Sequence, residues 1–185
     1  VHNLICSSGW WGKRVERELL PWALADVELG EEVLEFGPGF GATTRVLAGR
    51  IARLTALELD EDYCRRLRQE LPARVTVLEG DATKMPFADA SFDGVLCFTM
   101  LHHIPEPELQ DRALAEAARV LRPGGVFAGT DSIGSGWLFR AIHVGDTLNL
   151  IDPDTFGDRL SRAGFERPQI DSTERSFRFT AVKPA

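Results

Sequence analysis

Short apolar runs alternate with amphipathic stretches along most of this chain, and that alternation constrains the fold more than any single motif. Glu32–Phe36, Leu54–Leu59, Arg74–Leu78, Phe92–Phe98 and Val126–Thr130 read as strands. Between them, Ala42–Gly49, Glu61–Glu70 and Pro107–Leu121 read as helices, the last with Leu109, Ala113, Ala117, Val120 and Leu121 on one side, and Pro123-Gly124-Gly125 reads as a turn before the fifth strand. Repeated strand–helix–strand order predicts a parallel sheet wrapped by helices, because parallel neighbours need a crossover between them. The crossovers are right-handed, so helices cover both faces and every strand ends on one edge. Ligands bind at that edge. Functional residues are therefore expected in loops 37–41, 58–61, 79–83, 97–104 and 131–137.

The two ends depart from this pattern. From Ser8 to Asp26, the spacing of Trp11, Val15, Leu19 and Trp22 is helical, with Pro21 expected to break or kink the helix or to start a second one. Pro153–Ala163 reads as a helix. Gln169–Thr173 and Ser176–Val182 alternate and are joined by the polar Thr173-Glu174-Arg175, a hairpin signal. The expected fold is α/β: a three-layer sandwich with a mostly parallel seven-stranded sheet, last strand antiparallel, and helices on both faces. Residues 1–185 are read as a single domain. Its parts are a helical segment (1–31), a ligand-binding core (32–131), an insert that could wall a substrate pocket (132–151), and a helix with the terminal hairpin (152–185).

Composition narrows the chemistry. Hydrophobic residues make up 44% of the 185, enough for a real core. The net charge of -7 argues against a protein that works by neutralising phosphates, so no nucleic-acid partner is expected. Cys6, Cys64 and Cys97 are odd in number and lack Cys-x-x-Cys spacing, so neither disulfides nor a zinc site are indicated. They read as buried thiols in a reducing, cytoplasmic setting. No apolar run approaches the ~18 residues of a membrane-spanning helix, so no stable membrane insertion is expected.

The strongest local motif is Glu35-Phe36-Gly37-Pro38-Gly39-Phe40-Gly41, between a strand and a helix. Glycines there let the backbone approach a ligand. Gly37, Gly39 and Ala42, with Glu58 further on, also fit a dinucleotide fingerprint. Three features favour a different ligand. Glu35 would repel a pyrophosphate but favour an ammonium or a sulfonium. Glu58 ends the second strand, where a carboxylate can accept ribose hydroxyls. Gly80-Asp81-Ala82 follows the third strand, where an acid can accept from an adenine amino group beside a backbone N–H. Three acids and a glycine bend suit a cationic adenosine compound. A short-chain dehydrogenase would need Tyr-x-x-x-Lys, but Tyr63 is followed four residues on by Leu67, and no P-loop signature is present.

These motifs resemble, in order, those of the Rossmann-like (class I) S-adenosylmethionine-dependent methyltransferases. Besides Glu35–Gly41, they are Ala56-Leu57-Glu58-Leu59-Asp60, Glu79-Gly80-Asp81-Ala82, Phe92-Asp93-Gly94-Val95 and Arg119-Val120-Leu121-Arg122-Pro123-Gly124-Gly125. Leu101-His102-His103-Ile104 is similar to the small-molecule branch that includes the ubiquinone and menaquinone biosynthesis methyltransferases. The resemblance implies S-adenosylmethionine as cofactor and S-adenosylhomocysteine as product. Glu35 would face the methionine amino group, and Gly37, Gly39 and Gly41 would line the methionine and ribose. Glu58 would hold the ribose, with Leu59 against the adenine. Asp81 and Ala82 would read the adenine edge, and Phe98 and Thr99 would flank the sulfonium.

The acceptor is less legible. His102, His103 and His143 are candidate general bases, since imidazole titrates near neutrality. The histidine pair also reads as a cap for the next helix or as packing near the cofactor, and Asp131 as a loop or hydrogen-bonding position. Trp11, Trp137 and Phe139 are candidate walls of a pocket for a small-molecule acceptor. The first half also resembles the ribosomal RNA adenine dimethyltransferases. Those require a motif of the type Asn-Leu-Pro-Tyr after the fourth strand, where this chain reads Cys97-Phe98-Thr99-Met100. Cys97 has no supporting partner as a nucleophile. Hard oxygen ligands for a metal are missing after the fourth strand, so metal-independent displacement is expected. A non-catalytic cofactor-binding module and an RNA adenine N6-methyltransferase remain as alternatives.

Overall fold

A computed structural model of the protein describes residues 9–134 and 148–185. Seven strands form one sheet: β1 (Glu32–Phe36), β2 (Arg53–Glu58), β3 (Val75–Glu79), β4 (Phe92–Phe98), β5 (Leu121–Ser132), β6 (Glu166–Ser172) and β7 (Ser176–Val182). Their order across the sheet is β3-β2-β1-β4-β5-β7-β6. The pairs from β3 to β5 are parallel. β7 runs antiparallel to both β5 and β6. The hairpin expected from the alternating tail is present, and Thr173 closes it by bonding Ser176 through its amide (2.8 Å) and its hydroxyl (2.9 Å).

Among the described residues, six α-helices flank the sheet: α1 (Gly9–Arg14), α2 (Leu20–Ala23), α3 (Ala42–Leu47), α4 (Glu61–Glu70), α5 (Pro107–Val120) and α6 (Pro153–Arg162). The period-2 alternation of the strands decides which face each side chain meets. Leu34, Phe36, Val95 and Cys97 point to a first core shared with α5 and α6. Val33, Leu54, Ala56, Leu96 and Phe98 point to a second core shared with α1–α4 and their connecting turn. The first core centres on Phe127, Phe156, Phe177 and Phe179, all fully buried, with Phe156 and Phe179 meeting edge-on at 5.1 Å. Each such ring contributes about 1.5–3 kcal/mol by leaving water.

Pro21 starts a second short helix, one of the outcomes expected of it. A wide turn over Val15–Leu19, in which Leu20 N–H bonds Val15 O, carries α1 into α2, and Pro21 falls in the first turn of α2, where a missing N–H costs nothing. Two other local outcomes differ from the sequence reading. Pro123-Gly124-Gly125 does not precede β5 as a turn. It is a bulge inside it, because the register with β4 slips between Phe92 and Gly94. The histidine pair does not cap α5. That helix starts at Pro107 with Glu106 before it and no side-chain cap, while Leu101–His103 form a separate short turn.

Asp93 lies in the motif Phe92–Val95, but at the opposite edge from the expected ligand loops. It accepts from the amides of Glu31 (3.1 Å) and Glu32 (2.9 Å) and pairs with Arg122. Those bonds, the amide of Glu32 foremost, hold its carboxyl below the usual range. Asp93 therefore fixes the entry to β1. Among the described residues, no helix is long and apolar enough to cross a membrane.

Candidate active site

The tips of five strands line up along one edge through backbone bonds. Gly37 N–H donates to Leu57 O, Gly80 N–H to Glu58 O (both 2.8 Å) and Thr99 N–H to Thr130 O (2.7 Å). The glycine bend follows from its conformation. Gly37, Gly39 and Gly41 have φ of +67°, +52° and +72°, a region that costs other residues energy. Their surroundings differ. A Cβ on Gly37 would overlap the Met100 side chain, and one on Gly41 would overlap Leu67. A Cβ on Gly39 would meet nothing within 4 Å, so space lies open in front of that residue.

Glu35 stands behind the bend, 1% exposed. The Thr43 hydroxyl, in the first turn of α3, donates to Oε1, whereas Oε2 has no hydrogen-bond partner. Burial pushes its carboxyl up to about 7. Thr43 and the nearby Thr44 oppose that rise, and the negative charge of Glu58 adds to it. Glu58 is the joint of the edge. Its Oε2 accepts from Gly39 N–H (2.8 Å), and its Oε1 from Leu59 N–H (2.8 Å) and Asp60 N–H (3.1 Å). A carboxylate has about four acceptor directions, which leaves one for a hydroxyl. Leu59 beside it is 68% exposed, an apolar surface at the tip of β2. Asp60 caps α4 by accepting from Asp62 N–H (2.8 Å) and Tyr63 N–H (3.1 Å). Asp81 is exposed and turns its own loop, with Oδ1 accepting from Thr83 N–H (2.7 Å). Ala82 is half-buried against the first core.

The other side of the edge is built differently. Thr99, directly after β4, has φ +49°, strained for a non-glycine residue. Phe98 is buried in the second core at 5% exposure. His102 and Asp131 are both buried, and His102 Nδ1 pairs with Asp131 Oδ1. Asp131 also accepts from the amides of His102 (3.2 Å) and Ser132 (2.6 Å). The ring of His103 lies 4.1 Å from that of His102. Gln110 of α5 donates to Leu101 O (3.0 Å) and Asn149 O (2.8 Å), and Asn149 N–H donates to His102 O (2.8 Å). Trp11 packs on the second core. Trp137, Phe139 and His143 lie outside the described residues.

Thus Glu35, Gly37, Gly39, Gly41, Glu58, Leu59, Asp81 and Ala82 stand at the tips of β1–β3 or in the loops that follow them. Sequence reasoning missed Thr43, Met100, Gln110 and Asn149. Thr43 had a readable signal, since it falls in the helical turn directly after the bend. The others had none. Cys97 is fully buried, and its thiol is pushed well above the ordinary range by burial, with Asp131 and Glu35 adding to the effect. That is the reverse of an activated nucleophile. Among the described residues, no three His, Cys, Asp or Glu side chains are grouped to hold a metal ion.

Residues 34–129, half of the chain, match the family model described as a methyltransferase domain. The chain belongs to that family of S-adenosylmethionine-dependent methyltransferases. The fatty-acid O-methyltransferase of Mycolicibacterium smegmatis is 44% identical over 115 residues, covering 60% of this chain and 40% of that one. Methyltransferase GfsG of Streptomyces halstedii is 35% identical over 195 residues, covering 94% and 66%. The chain thus spans between two fifths and two thirds of the length of these relatives. Phosphoethanolamine N-methyltransferase 2 of Haemonchus contortus, solved with S-adenosyl-L-methionine, has the same fold. Its TM-score is 0.77 at 17% identity, covering 100% of this chain and 58% of that one.

Proposed function

We propose that this chain binds S-adenosylmethionine across the tips of β1, β2 and β3 and transfers its methyl group, without a metal, to a small acceptor with an apolar body. The observation that carries the reading is Glu35: a buried carboxyl with one oxygen lacking a partner, behind a glycine that faces open space. A buried acceptor without a donor is costly, and an ammonium group would relieve it. Glu58 has an acceptor direction left for a ribose hydroxyl, Leu59 offers an apolar wall to the adenine, and Asp81 and Ala82 its polar edge. The donor set fits the ligand in charge and in order.

When bound, the cofactor supplies a methyl group already activated on a positively charged sulfur. The protein then has to align the acceptor and exclude water. Thr99 and Met100 border the bend on the acceptor side. Asp131 holds the proton on Nδ1 of His102 and so fixes its ring and tautomer. The relative that acts on fatty acids supports an acceptor with an ionisable oxygen. A carboxylic acid is ionised near neutral pH and needs no general base. On that reading the His102–Asp131 pair orients the loop, with the His103 ring packed beside that of His102. A small molecule is favoured over RNA because residues 97–100 offer neither the amide nor the aromatic stack that an adenine amine needs.

Isothermal titration with S-adenosylmethionine and S-adenosylhomocysteine tests the first step, and methyl transfer to a panel of fatty acids, phenols and RNA tests the second. Saturable binding of both ligands with turnover on a small acceptor is the expected result. Absence of binding would sink the site. Binding without turnover on any acceptor would favour a non-catalytic module, and turnover on RNA alone would replace the acceptor class.

A further inference from the structure

The adenine-reading loop has no regular structure of its own. Between β3 and β4, residues 80–91 form neither helix nor strand, yet Asp81 must be held in place if it is to discriminate one base from another. Local bonds close its first turn, Lys84 N–H to Asp81 O (3.0 Å) and Thr83 N–H to Asp81 Oδ1 (2.7 Å), and its end, where the Ser91 hydroxyl donates to Ala88 O (2.7 Å). The rest is gripped from the last turns of α5. Arg119 donates to Met85 O (3.0 Å), Phe87 O (2.7 Å) and Asp89 Oδ1 (2.8 Å). The same guanidinium makes a two-pronged pair with Glu116, at 2.7 and 2.8 Å. Glu116 Oε2 in turn accepts from Met85 N–H (2.7 Å). Both backbone groups of Met85 are therefore held by one ion pair, directly after the Asp81 turn. Arg119 holds the Glu116 carboxyl below its usual range, so the pair stays charged.

We infer that Glu116 and Arg119 are positioning residues for base recognition: by clamping Met85, Phe87 and Asp89 they hold Asp81 where it accepts from an adenine amino group. This rests on the adenine placement proposed above. The geometry is a fork, and a planar guanidinium satisfies two carbonyls and two carboxylates at once. Neither residue bonds to Asp81 itself, so the effect must pass through the backbone of residues 82–85. The side chains of Met85 and Phe87 also pack on the first core. Loss of the clamp should therefore loosen the loop without unfolding it.

The test compares an adenine ligand with one whose exocyclic group accepts rather than donates. Titration calorimetry gives Kd for S-adenosylhomocysteine and S-inosylhomocysteine in the wild type and in Glu116→Gln, Arg119→Lys and Asp81→Asn, with circular dichroism melts checking each fold. Asp81→Asn should abolish or reverse the preference for the adenine ligand. Glu116→Gln and Arg119→Lys should each weaken the adenine ligand about tenfold, as loss of a fixed polar contact does, and leave the inosine ligand nearly unchanged. If Asp81→Asn removes the preference while the clamp variants keep it, or lose both ligands in equal proportion, the clamp only supports the fold and the inference falls alone. If Asp81→Asn retains the preference, the adenine placement falls, and the inference with it. Two clamp variants are used so that poor folding of one still leaves the other to decide.

Discussion

The two sides of the active edge are held together by different means. On the β1–β3 side, each acid works through neighbours in its own motif or the next one. Glu35 meets Thr43 eight residues on, Glu58 meets Leu59 and Asp60 beside it and Gly39 nineteen residues back, and Asp81 meets Thr83. On the β4–β5 side the bonds span much longer separations: 29 residues from His102 to Asp131 and 39 from Gln110 to Asn149. The first side is a set of local cradles that the strand order brings into line. The second is a single stitched network whose members depend on one another. Damage on the first side should therefore appear mainly in cofactor affinity, and damage on the second mainly in stability and acceptor handling.

The pH dependence of stability tests the local side most severely. The Glu35 carboxyl sits at about 7 when folded, against an ordinary 4.5. The folded chain thus holds its proton more tightly than the unfolded chain does. The stability contributed is fully present below 4.5 and is lost as pH rises through about 7. That loss amounts to about 3 kcal/mol. Urea unfolding at pH 5 and pH 8 should show it, Glu35→Gln should flatten it, and saturating cofactor should reduce it by supplying a positive partner.

Gly37 and Gly39 separate packing from ligand access. Gly37→Ala should cost about 2.5 kcal/mol, from its positive φ and its collision with Met100, and Met100→Ala should return part of that. Gly39→Ala should cost only about 1 kcal/mol in stability while lowering cofactor affinity far more, because its Cβ would enter the open space. Equal melting temperatures for the two variants would show that Met100 yields freely.

Glu58→Ala and Asp131→Asn bear directly on the contrast. Each should cost about 2 kcal/mol of stability in denaturant titrations. Glu58→Ala should also raise the cofactor Kd steeply, whereas Asp131→Asn should leave that Kd alone and raise KM for the acceptor. A cofactor Kd that shifts equally in both would mean that the edge acts as one unit. The smallest effect is expected at Asn149→Ala, which keeps its backbone bonds and loses only the side-chain donor to Ile104 O at 3.2 Å. About 0.5–1 kcal/mol is expected.

What could be read from the chain follows the same division. The five parallel strands, the glycine bend and the acids at the tips of β1–β3 are visible because each depends on periodicity or on contacts within a few residues. The reversed last strand was readable as well, since a hairpin needs only a turn and two alternating runs. Pro123-Gly124-Gly125 misleads because the same three residues serve a turn or a bulge, and pairing with β4 decides which. The histidine pair was visible as a motif, but its partner was not. Nothing local ties residue 102 to residue 131; they meet because β4 and β5 are parallel neighbours ending on one edge. Arg119 likewise stands in a recognisable motif, yet its hold on Met85, 34 residues away, exists only after α5 has packed beneath the loop. Local order is encoded in short stretches of side chains, whereas long-range polar partnerships come into being only once the sheet has fixed which distant residues share an edge.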